Sequence, residues 1–233
     1  MQHLGLAAAL SFELLANSLG AAQSWPEALD AMPLRPPVHC LDLTNCVPLM
    51  LASFQSNQFV KALIFMPGAT DEFYLFRRAR AILTNASPSL LDAVEALTNQ
   101  TFIRSTFQPP FLLLHTDEDP LDPAITVRDA PTVIRLKSCR FLPHLVARDA
   151  DWDWLQPSLR WTLRVDIRPW SHSLDQSWHF YRHSFAAWNL TGWEALEAAA
   201  LAGKSQFVVE HKRVTFTPDS RVRATLHLDF FPR

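Results

Sequence analysis

Residues 38–66, VHCLDLTNCVPLMLASFQSNQFVKALIFM, and residues 81–107, AILTNASPSLLDAVEALTNQTFIRSTF, carry the same signals in the same order. In each, a short apolar run (Val38 to Leu43, and Ala81 to Leu83) leads into Leu-Thr-Asn, and a proline, Pro48 or Pro88, follows. Proline suits the first position of a helix, where its missing N–H has no partner to lose. Ser87 can cap the second helix. Its apolar residues Leu90, Leu91, Val94 and Leu97 recur at helical spacing, with Asp92, Glu95 and Asn99 on the other side. Leu49, Met50, Leu51 and Phe54 do the same more loosely in the first. Each helix, expected over 48–58 and 88–99, closes near an Asn-Gln pair, and an apolar strand begins. These strands are Phe59 to Met66, and Phe102 to Phe107 continuing past Pro109-Pro110 into Phe111 to His115. Pro67-Gly68 marks the turn between the copies. The region 38–120 therefore reads as two β-α-β copies, and the fold class as α+β.

The order of strand, Asn-x-x-Pro turn, short helix, Asn-Gln and strand over Val38 to Thr116 resembles the short N-terminal domain of secretins and TonB-dependent receptors. Phe102 stands where that family usually has glycine after the Gln-Thr step. The resemblance implies an exported, non-catalytic interaction module, and it transfers no catalytic residue.

Beyond Pro120 the texture changes. Pro120, Pro123 and Pro131 punctuate a strand-poor link, and seven of the eight tryptophans fall between Trp152 and Trp193. A second region is placed over 145–233, either separate from the first or continuous with it. Trp161, Leu163, Val165 and Ile167 alternate with polar residues as a half-buried strand does. Thr191-Gly192-Trp193-Glu194 is a capping box that opens a helix, and Gly203 closes it. Phe207 to Phe216, a Pro218-Asp219-Ser220 turn and Val222 to Phe230 read as a C-terminal β-hairpin. That hairpin is expected to join a sheet covered by the Thr191 to Ala202 helix.

Composition bounds the function. In 233 residues, 48% are hydrophobic and 19% charged, enough for a core without a covalent staple, and a net charge of −2 offers no field for nucleic acid. The apolar stretch Leu4 to Phe12 is about half of the ~20 residues a spanning helix needs, so no membrane span is expected. Residues 1–22 read as an export signal ending in Gly20-Ala21-Ala22, or as an amphipathic helix with Glu13 and Asn17 facing water. The first reading places the protein in the periplasm or outside the cell, the second in the cytoplasm. Cys40, Cys46 and Cys139 form neither a disulfide framework nor a zinc knuckle and read as buried free thiols.

With only five glycines and no GxGxxG or Walker loop, the backbone offers no phosphate cradle. GxSxG and HExxH are also absent. The strongest positive feature is Asp175, His179 and His183, each four residues from the next. A helix over Leu174 to Phe185 would put them on one face, able to hold a divalent transition metal with help from His172, while Trp178, Tyr181 and Phe185 face the core. His115, Asp117, Glu118, Asp119 and Asp122 lie just past a buried strand, where ligands gather in α/β sheets. Asp149, Asp151 and Asp153 begin like a calcium loop, but Trp154 and Arg160 occupy the positions of its glycine and bidentate glutamate. Trp152, Trp154, Trp170 and Trp178 lie next to polar residues and could stack on a sugar or a partner side chain. The leading reading is a non-catalytic binding or assembly protein with a protein partner, needing no cofactor. The alternative is a hydrolase-like metalloenzyme built on Asp175, His179 and His183.

Overall fold

A computed structural model describes residues 24–42, 44–66, 79–116, 125–140, 144–150, 152–169 and 183–218. Within them the protein is α+β, and both helices expected of the repeat are present. After helix α1 (Trp25–Asp30), strand β1 (Cys40–Leu41) leads to α2 (Cys46–Ser53) and β2 (Ala62–Phe65). Strand β3 (Ala81–Ile82) leads likewise to α3 (Leu90–Gln100), β4 (Arg104–Gln108) and β5 (Phe111–His115). Strands β1 and β3 pair antiparallel, Leu41 opposite Ala81, and β2 and β5 lie side by side in parallel.

Local chemistry shifts three details. Helix α2 stops at Ser53, earlier than expected, because Phe54 turns extended and Asn57 Oδ1 then takes the N–H groups of Phe59 and Val60 into a tight turn. The cap of α3 is Ser89, not Ser87: its hydroxyl accepts from Asp92 N while Asp92 accepts from Ser89 N, so Pro88 precedes the cap. The expected run-through at Pro109-Pro110 is a hairpin, with Phe107 opposite Leu112 on antiparallel β4 and β5.

The second region adds β6 (Ile125–Val127), α4 (Ala130–Ser138), β7 (His144–Ala150), α5 (Trp152–Leu163), β8 (Asp166–Pro169), β9 (His183–Trp188), α6 (Gly192–Ala202), β10 (Ser205–Glu210) and β11 (Arg213–Pro218). A five-stranded sheet runs β4-β5-β2-β9-β7 and a four-stranded one β6-β10-β11-β8. Strands from 38–120 and from 145–233 thus stand side by side in the larger sheet, where Leu63 of β2 faces Ala186 of β9. Side chains alternate along each strand, so each face of that sheet collects its own core. Leu63, Phe65, Leu112, Leu114 and Ala186 pack with α1, α2 and α3. Ile64, Leu113, Leu145, Phe185 and Ala187 pack with α4, α5 and α6 and, beyond them, with Phe207, Val209, Val214 and Phe216 of the second sheet.

Helix α6 lies between the two sheets and so covers the one that the hairpin joins. Its sequence GWEALEAAALA is buried almost all round, and a helix that is apolar on every side belongs inside. Both halves of its capping box are made: Thr191 Oγ1 accepts from Glu194 N at 3.1 Å, and Glu194 Oε2 accepts from Thr191 N at 2.7 Å. Thr191→Ala leaves a buried helix start with an orphan donor, and the expected loss is about 1 kcal/mol in a denaturant titration. A change within noise would mean that the glutamate alone holds the turn.

Two expectations fail here, and the strand-poor link gains an element. The segment from Trp161 does not begin a strand, because α5 continues through Leu163, with Leu155, Leu159 and Leu163 recurring every fourth residue as one buried stripe. Phe207 to Phe216 is not one strand but most of the β10-β11 hairpin, with Val209 opposite Val214; the expected partner Val222 to Phe230 lies outside the described residues. The proline-punctuated link holds a helix, α4, capped by Asp129 and carrying Pro131 in its first turn.

Candidate functional site

Strands β2 and β5 are parallel, and the carboxyl end of a parallel pair is where an α/β sheet most readily places a ligand. The register there puts Leu114, Phe65 and Ser184 in one row, so the next row is His115, Met66 and His183, on the face that carries Leu113, Ile64 and Phe185. Arg104 of β4 stands opposite His115. Two histidines from separate sequence candidates therefore end in one row, two strands apart. Both are buried, as is Lys204 just past α6. Different elements hold the two rings. His115 Nε2 lies 2.9 Å from Thr106 Oγ1 of β4, whereas His183 Nε2 packs on Gly203 at the end of α6.

Of the proposed metal triad, Asp175 and His179 lie outside the described residues. His183 opens strand β9, so the helix expected over Leu174 to Phe185 does not include its last three residues, and four-residue helical spacing does not apply to His183. Phe185 is core, as expected. His172, Asp117, Glu118, Asp119, Asp122 and Asp151 also lie outside the description. Asp149 belongs to β7 and Asp153 to α5. Among the described residues no three His, Cys, Asp or Glu side chains are grouped to hold a metal ion.

The other titratable groups serve the fold. Burial pushes the Cys46 thiol up to about 12, which leaves no thiolate at neutral pH, and all three cysteines are free. Glu197 is also raised, first by burial and then by neighbouring Glu194, against the lowering pull of Trp193 Nε1, which donates to it at 2.5 Å, and of Lys137. Lys137 of α4 sits 5.2 Å over the Trp193 ring, and Lys61, just before β2, holds Glu194 at 2.7 Å, so this polar group straps α6 to its neighbours.

Two surface features stand out among the described residues. A groove of about 390 Å³ is lined by Leu51, Phe54, Gln55, Ser56, Val146 and Trp188 together with Ala52, none of them titratable. The second feature is the outer side of α5. Trp161, expected on the buried face of a strand, is 84% exposed, and Trp154 is 47% exposed. At 100° per residue, Trp154, Pro157 and Trp161 form one strip opposite the buried leucines. All three are exposed. The signal for this strip was present as the i, i+4, i+8 spacing of Leu155, Leu159 and Leu163, but the alternation from Trp161 to Ile167 competes with it. The side chain of Trp152 and the whole of Trp170 and Trp178 lie outside the described residues. No described helix is long and apolar enough to cross a membrane.

No family model, curated protein or solved structure matches this chain.

Proposed function

We propose that this protein acts by binding a partner protein, through the Trp154-Pro157-Trp161 strip of α5, rather than by catalysis. The observation that carries the reading is a helix already seated in the core by one apolar face that presents two exposed tryptophans, two turns apart, on the other. Tryptophan is the side chain that most often dominates interface energetics, and anchors at i, i+3 and i+7 suit a partner groove or helix. Proline inside the helix supports the same view. It forfeits a backbone hydrogen bond at a position where packing against the rest of the fold offers nothing in return, and rule-breaking of that kind collects at functional sites. The resemblance of residues 38–116 to a non-catalytic interaction domain points the same way.

A photoreactive phenylalanine analogue placed at position 161, irradiated in the native cell, should yield a discrete protein adduct. The same analogue at Glu95, exposed on α3, should not. No adduct at 161, or the same adduct from both positions, would remove the reading.

A further inference from the structure

The strip has a charged flank. Arg160 and Arg164 are four residues apart and both exposed: helical geometry sets Arg160 beside Pro157 and Trp161, between the strip and the side of α5 that Gln156 ties to β8, and Arg164, at φ 50, is the first residue past the helix, its N–H still on the carbonyl of Arg160. Neither guanidinium forms an ion pair with a described residue, whereas nearby Arg168 and Arg213 both hold Asp166, at 2.8 and 3.2 Å. The chain as a whole carries −2, so this positive edge is a local departure from the overall sign. Arginine presents a planar fork that takes carboxylates two bonds at a time, and opposite charges across an interface set its register and on-rate.

We infer that the partner segment docking on α5 is acidic, with apolar side chains packing on Trp154, Pro157 and Trp161 while its carboxylates meet Arg160 and Arg164. This rests on the protein-binding reading above. Charge complementarity selects this occupant: a basic segment would meet two guanidinium groups that no described carboxylate neutralises, and a neutral one would offer them no counter-charge.

The test uses the full chain and three short peptides with the same Leu and Phe positions, whose polar positions are all Glu, all Gln or all Lys. Binding is followed by fluorescence anisotropy at ~0.1 M and ~1 M salt, between which the screening length falls from about 10 Å to about 3 Å. The Glu peptide should bind about tenfold tighter than the Gln peptide at low salt and lose that advantage at high salt. In the Arg160→Glu, Arg164→Glu double variant the preference should pass to the Lys peptide. Equal binding of Glu and Gln peptides, abolished by Trp161→Ala, would overturn the acidic partner and leave the docking strip standing. Binding of none, or binding indifferent to Trp161→Ala, would overturn both. Recruitment to vesicles of phosphatidylglycerol with no peptide binding would overturn the inference in favour of a lipid surface.

Discussion

Phe185→Ala is expected to lower the unfolding free energy by about 3–5 kcal/mol, the range for emptying a fully buried aromatic site. Phe185 is 0% exposed, on a strand with neighbours on both sides: Ile64 stands opposite it on β2 and Ala147 on β7. Its ring faces the core shared with α4, α5 and α6, where it belongs to the same cluster as Leu159, Leu196 and Phe207. Close packing leaves little freedom for those residues to collapse into the gap. A domain of ordinary stability has about 5–15 kcal/mol to lose, so the variant should melt far earlier or fail to accumulate folded. Trp161→Ala removes an even larger side chain and is expected to stay within about 0.5 kcal/mol, because that ring is already in water. Denaturant titrations of the two variants side by side decide the matter. Similar losses in both would mean that α5 is turned the other way, with Trp161 inward.

Gly203→Ala is expected to cost about 1–3 kcal/mol through overpacking. The reason is space rather than backbone freedom: Gly203 has φ −104, open to any residue, and the left-handed position at this helix end is taken by Lys204 at φ 44. A Cβ on Gly203 would collide with Nε2 of His183, whose ring is 1% exposed, so one of the two must shift within the core. In the His183→Ala background the same substitution should be far cheaper, with a coupling of at least about 0.5 kcal/mol in a double-mutant cycle. Strict additivity would place the cost elsewhere.

Gly203 shows how a sequence reading can find the right residue for the wrong cause. Its place at the end of the Thr191 helix follows from punctuation within the chain, but its reason for being glycine comes from a strand about twenty residues upstream. The β10-β11 hairpin shows the reverse. Its two-residue turn, His211-Lys212, adopts positive φ at both positions, 47 and 61, a conformation normally announced by Asn-Gly. Here Lys212 N donates to Asp129 Oδ2 at 2.9 Å, so the capping residue of α4 helps to hold a turn that its own residues do not advertise. Asp129 is held below the usual carboxylate range, first by the hydroxyl of Thr132 and then by the N–H of Lys212.

The functional candidates divide in the same way. His115 is a candidate because it ends a buried strand, and His183 because of a spacing that belongs to a helix; the sheet register sets them in one row for neither reason alone. Trp161 falls on a buried strand face if the alternation of Trp161, Leu163, Val165 and Ile167 rules, and on the outside if the four-residue spacing of Leu155, Leu159 and Leu163 does; Leu163 is buried in either case. Only packing against the sheet resolves that ambiguity.

What the sequence determined by itself is what neighbours in the chain can settle: the α+β class, the two helices after the Leu-Thr-Asn turns, the Thr191-Glu194 box and the helix it opens. Hydrogen bonds three or four residues apart and periodic apolar faces are local quantities, and they are written in order. Tertiary structure alone decided that β2 lies between β5 and β9, that Phe207 to Phe216 folds back on itself, and that Trp154 and Trp161 remain in water. Those outcomes depend on pairings between residues far apart in the chain, and a strand's alternation states which face is apolar but not which strand will cover it.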